Sequence, residues 1–173
     1  MADQSKYLLD ANVLIEAHKR YYGFDLCPGF WTAIVRHHHA HRVFSIDRVK
    51  DEIAKGKDKL TKWAKSRAPE TLFKKTDSEA IIAQFGKMIE WVQNDPQFLP
   101  AAKKEFARIA DGWLIACAKA EGLIVVTEES YEPMRMNKVK IPNACRQFAV
   151  QYVNTFEMLR ELRVRFVERP VTA

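Results

Sequence analysis

The sequence predicts an α/β domain in which a central, mainly parallel sheet is covered by helices on both faces. Three junctions carry that prediction. Tyr7-Leu8-Leu9 is a short apolar run that ends at Asp10 and passes into a helical pattern. Val43-Phe44-Ser45 passes into a second helix, and Leu123-Ile124-Val125-Val126-Thr127, the strongest strand signal in the chain, follows a helix closed by Gly122. Strands separated by helices give a parallel sheet with both faces occupied, and in such folds the functional crevice lies beyond the carboxyl ends of the strands.

In chain order, the strand at Tyr7–Leu9 is followed by a helix over Val13 to Tyr22. The second strand leads into a helix from Asp47 to Lys55 that stops near Gly56, and further helices are expected over Asp58 to Arg67 and Asp77 to Asn94. Glu105 to Glu121 reads as one continuous helix before Gly122 and the last buried strand. A final helix covers Thr155 to Leu162 with Thr155 as its N-cap, and Val164 to Val167 is expected as an edge strand.

The 173 residues fit a single domain, with 47% hydrophobic and 29% charged residues in the balance of a globular protein. A net charge of +6 favours a polyanionic partner such as nucleic acid. Cys27, Cys117 and Cys145 are odd in number and lack CxxC spacing, which argues against a disulfide framework or zinc site and for a reducing cytoplasm. The N-terminus lacks the pattern of an export signal and no apolar window is long enough to span a membrane, so neither export nor membrane insertion is expected.

The acids at the strand ends carry the chemistry. Asp10 closes the first strand, and Glu128 and Glu129 follow the last one. Glu52 and Asp111 lie on helices that would flank the same edge, and Asp111 shares a helical stripe with Ile115 and Ala118 that should face the core. A lone acid of this kind is usually a helix cap or a solvated charge. Several carboxylates converging on one crevice repel one another unless a divalent cation sits among them, and oxygen donors without a His/Cys set favour magnesium or manganese. Such a cluster suits phosphodiester hydrolysis by an activated water.

These segments resemble a known family. Tyr7-Leu8-Leu9-Asp10-Ala11-Asn12 is similar to the opening signature of PIN domains, and Ser45 to Ile53 resembles their second motif with Glu52 at the ligand position. Asp111-Gly112-Trp113-Leu114-Ile115-Ala116 resembles the third, and Val125-Val126-Thr127-Glu128-Glu129 the fourth. The tail around Lys140 to Cys145 resembles a PIN-like family catalogued as domain of unknown function 4411.

The resemblance implies a three-layer α/β/α sandwich over residues 1–173 and a VapC-like toxin of a prokaryotic toxin-antitoxin pair: a magnesium- or manganese-dependent endoribonuclease silenced by an antitoxin protein and commonly homodimeric. It makes Asp10, Glu52, Asp111 and Glu129 metal ligands, with Asn12 and Thr127 as polar helpers and Glu128 as the alternative to Glu129. The chain departs from the pattern in having Glu129 where many relatives have Asp, and in the long stretch between Glu52 and Asp111, which implies extra helices.

Arg135, Lys138, Lys140 and Arg146, after the last acidic motif, are the expected phosphate-gripping residues. The basic run Lys55 to Lys65 around Trp63 reads as a solvated helix face, the histidines 37 to 41 as an exposed helix end without catalytic role, and the aromatic group Tyr21 to Trp31 as core or dimer contact. Two rival functions remain: a haloacid-dehalogenase-type phosphatase, disfavoured because Asn12 stands where it needs a second Asp, and a non-catalytic RNA- or partner-binding module of the same fold.

Overall fold

The computed structural model describes residues 5–168; residues 1–4 and 169–173, the outer ends of the expected single domain, lie outside the described residues. Among the described residues five strands form one sheet: β1 (Tyr7–Leu9), β2 (Val43–Ile46), β3 (Phe73–Lys74), β4 (Ile124–Val126) and β5 (Tyr152–Val153). Their order is β3-β2-β1-β4-β5 and every pairing is parallel. Successive strand side chains face opposite sides, yet none of Tyr7, Leu8 and Leu9 is exposed, so helices cover both faces of the sheet's centre. The expected α/β sandwich is the observed fold.

The helices are α1 (Ala11–Glu16), continued by a π-helical stretch Ala17–Tyr21, then α2 (Pro28–His39), α3 (Asp47–Ala54), α4 (Lys59–Ser66), α5 (Glu79–Asn94), α6 (Pro100–Phe106), α7 (Asp111–Glu121), α8 (Ile141–Gln147) and α9 (Thr155–Glu161). Their ends follow local chemistry. Asp58 accepts from the Thr61 amide to cap α4, Ser78 from that of Ile81 to cap α5, and Gly122 ends α7 at φ 66°.

Three expectations are corrected. Glu105 to Glu121 is not one helix: the Arg108 and Ile109 amides both turn back onto the Glu105 carbonyl, ending α6, and Asp111 becomes the first residue of α7. The N-cap of α9 is Asn154, not Thr155, because Asn154 and Glu157 form a reciprocal capping box. Val164 to Val167 is not a strand: Arg163 adopts φ 55° and Val164 bonds back to Leu159, so the chain turns away from the sheet and Phe166 meets the Tyr22 ring.

Gly112 lets α7 pack closely. A Cβ there would stand 2.9 Å from a ring atom of the half-buried Phe85 and 3.1 Å from ring atoms of the buried Phe106. Gly112→Ala should lower stability by about 1–3 kcal/mol through overpacking, read as a shift in the urea midpoint at constant slope.

Candidate active site

The sheet order sets the position of the crevice. From β1 the chain builds outward through β2 and β3, then returns to the opposite side of β1 for β4 and β5. The direction therefore reverses between β1 and β4, and the carboxyl ends of those two strands open onto the crevice. Leu9 pairs with Val126, and the Asp10 amide donates to the Val126 carbonyl at 3.0 Å, which sets Asp10 beside Thr127.

Asp10 is buried, and the Thr127 hydroxyl donates to its Oδ2 at 3.2 Å. Burial, then the negative charge of Glu129 and that of Glu52, push its carboxyl up to about 7 against the Thr127 hydrogen bond. Asp111 is half-buried at the start of α7. Its carboxyl lies well above the ordinary range, first through burial and then through Asp10 and Glu129. The four acids singled out in the sequence thus act on one another across the crevice: two of them, Asp10 and Asp111, resist ionising beside the other two.

Glu129 has a partner of its own. One carboxylate oxygen pairs with the Lys138 ammonium, the other accepts from the Ile141 amide at 2.8 Å, and its own amide donates to Thr127 Oγ1 at 3.2 Å. Burial opposes charge on Lys138, but Glu129, Asp111 and Asp10 more than offset it and raise its pKa. Lys138 is thus a cation built into the acidic crevice. Lys138→Met should lower metal-free stability by roughly 1–3 kcal/mol by stranding Glu129, with much of the loss recovered on adding magnesium; thermal unfolding in EDTA and in magnesium checks both.

Glu128 is committed elsewhere: it accepts from the Thr155 amide and hydroxyl at the start of α9. Of the two glutamates after β4, Glu129 is the one whose charge reaches Asp10 and Asp111. Asn12 is exposed and lines a cleft of about 440 Å³ with Glu16, Arg20, Glu129 and Lys140. Glu52, exposed on α3, lines a second cleft of about 500 Å³ on the other side, with Arg48, Lys55 and Arg108.

The expected phosphate-gripping residues are all engaged within the chain. Arg135 and Lys140 both pair with Glu132, Lys138 with Glu129, and the Arg146 guanidinium lies 4.0 Å from the Tyr131 ring centre. Trp63 is buried against Trp31 and so does not offer a face to a base. The histidine run is not wholly exposed: His38 is buried, its Nδ1 3.0 Å from the Val43 carbonyl oxygen and its Nε2 2.8 Å from the Thr71 hydroxyl, and burial lowers its pKa.

The donor set is chemically suited to a hard divalent cation, with carboxylate oxygens from the end of β1, α3, α7 and the loop after β4 and one buried acid whose carboxyl is pushed up to about 7. Among the described residues, no three His, Cys, Asp or Glu side chains lie close enough together to grip an ion directly. The grip of Lys138 and the Ile141 amide on Glu129 is one physical reason, since both oxygens of that carboxylate already face donors.

The family described as Domain of unknown function (DUF4411) matches residues 7–166, a span that contains all four acidic motifs. The chain belongs to that family. No curated protein and no solved structure matches it. In this DUF4411 chain the family's span runs from the first residue of β1 to beyond α9, so the sheet, the acids and Lys138 all fall within it.

Proposed function

We propose that this chain is a magnesium- or manganese-dependent endoribonuclease of the PIN type, acting as the toxin of a prokaryotic toxin-antitoxin pair. One observation carries the reading: at the point where the sheet reverses direction, Asp10 and Asp111 are driven well above the ordinary carboxylate range, first by burial and then by neighbouring carboxylates, Glu129 and Glu52 for Asp10 and Asp10 and Glu129 for Asp111, an arrangement that a bound cation would relieve. The motif order given by the resemblance to PIN domains supports it, as does the net charge of +6.

In this reading Asp10, Glu52 and Asp111 would hold the ion, with Glu129 as a fourth donor when it leaves Lys138. A bound magnesium or manganese ion would neutralise phosphate charge and ready a water for attack. Thr127 fixes the carboxylate plane of Asp10 through its hydrogen bond. Lys138, already among the acids, holds Glu129 and adds positive charge where a phosphodiester would approach. Asn12 lines the cleft on the Glu129 side, within reach of a strand that crosses the crevice. An antitoxin protein and a second copy of the chain are the partners the resemblance implies. No helix among the described residues is long and apolar enough to cross a membrane.

One observation favours a second reading, a binding module without catalysis: among the described residues no three ligating groups stand close enough to grip an ion. Incubating the protein with a varied pool of labelled single-stranded RNA in magnesium, manganese or EDTA separates the two. Cleavage with metal that stops in EDTA is the expected result. An intact pool under all three conditions, from protein that still binds RNA, would favour the binding module.

A further inference from the structure

The two clefts that flank the acids differ in their spare charge. On the Asn12 side, Arg20 is paired with Glu16 at 2.8 Å and Lys140 with Glu132 at 2.7 Å, so the cations there already have carboxylates. The cleft on the Glu52 side lies between α3 and the turn joining α6 to α7, and its cations are Arg48, Lys55 and Arg108. Among the described residues none of these three forms an ion pair.

Arg48 is also held in place. Its guanidinium lies 3.9 Å from the Trp113 ring centre, and the far face of that indole is stacked on Phe85 with centroids 3.8 Å apart. Arg48 Nε donates to Thr76 Oγ1 at 3.1 Å, and the Thr76 hydroxyl donates in turn to Asp47 at 2.9 Å. A guanidinium fixed on one edge and one face, two residues into the helix that carries Glu52, loses little further freedom when it meets an oxyanion. Lys55 and Arg108 are exposed on the two opposing walls. The cleft adjoins the acids, since Glu52 and Ala110, the residue before Asp111, both line it. Asp51 lines it too, so it is a mixed-charge channel with three cations against Asp51 and Glu52.

We propose that this cleft is the backbone-binding subsite of the substrate strand: Arg48, Lys55 and Arg108 hold the phosphates next to the one at the acidic centre, and the strand leaves the crevice over α3 rather than along the 130–146 segment. The inference rests on the nuclease reading for the identity of the strand, but its surface stands on charge and geometry alone.

The test is fluorescence anisotropy of a labelled single-stranded RNA dodecamer in EDTA, across a salt series, with the full chain and two double variants. For Lys55→Gln/Arg108→Gln the dissociation constant should rise about tenfold, and the slope of log affinity against log salt should flatten by about 1.4, at roughly 0.7 for each phosphate no longer neutralised. Arg135→Gln/Lys140→Gln should change affinity less than twofold. Equal losses in both variants, a loss only in the second, or no RNA binding by the parent chain would overturn the proposal. Cleavage assayed separately in magnesium distinguishes the two failures: a parent that cuts RNA while Lys55→Gln/Arg108→Gln binds normally removes the subsite and keeps the nuclease. A parent that binds through Lys55 and Arg108 without cutting keeps the subsite and removes the nuclease.

Discussion

Asp10→Asn and Asp111→Asn should each slow RNA cleavage by about a thousandfold while making the metal-free protein more stable, not less. In the proposed nuclease, the first effect follows from losing an anionic ligand. Metal-ion stabilisation of phosphate charge is worth several kcal/mol, and each 1.4 kcal/mol is tenfold in rate. The second follows from the cost of ionising a buried acid. Raising a carboxyl from 3.8 to about 7 makes its charged form roughly 4 kcal/mol less favourable in the fold than in the unfolded chain. Asparagine keeps the shape and the Thr127 contact and removes the charge. Activity lost through misfolding would instead lower the melting temperature in EDTA, so comparing EDTA and magnesium melts with a cleavage gel decides the matter. A variant that melts earlier without metal would show that Asp10 is not the repelled group described above.

The pH dependence should run in opposite directions for the two states. In the folded chain Asp10 keeps its proton until about pH 7, whereas the unfolded chain loses it near 3.8. The stability it contributes is complete below the lower value and is lost as pH rises through the upper one; Asp111 acts in the same direction. Metal-free protein should therefore melt lower at pH 8 than at pH 6. In the proposed metal site magnesium and the proton compete for the same oxygens, so metal affinity should rise over that interval, about tenfold per pH unit for each proton displaced. Calorimetric titrations in two buffers of different ionisation enthalpy count the protons released. A metal affinity flat between pH 6 and 8 would mean that the ion does not bind at Asp10.

Much of this site is legible in the sequence because a parallel sheet converts strand ends into a common edge. Tyr7–Leu9 and Ile124–Val126 are apolar runs with a polar residue immediately after, and pairing Leu9 with Val126 brings Asp10 to Thr127, 117 positions away along the chain. The edge strands Phe73–Lys74 and Tyr152–Val153 are too short to show alternation, and the break after Phe106 has no glycine or proline to announce it. Lys138 reads in the sequence as a residue for RNA, but its pairing with Glu129 cannot be read there, because the path of the 130–140 segment depends on tertiary bonds such as Glu132 with Asn143, which no spacing encodes. Arg48 is invisible in the sequence for a related reason: its worth lies in Trp113 and Thr76, both remote along the chain.

The two-residue outer strands have a consequence for assembly. A long open strand is a template on which another chain can continue a sheet, in solution or in an aggregate. Here the outermost strands, Phe73–Lys74 and Tyr152–Val153, offer almost no such ladder, and Lys74 is tied to Glu121 at 3.0 Å across one of them. The parallel core thereby presents little backbone for lateral growth of the sheet by another chain.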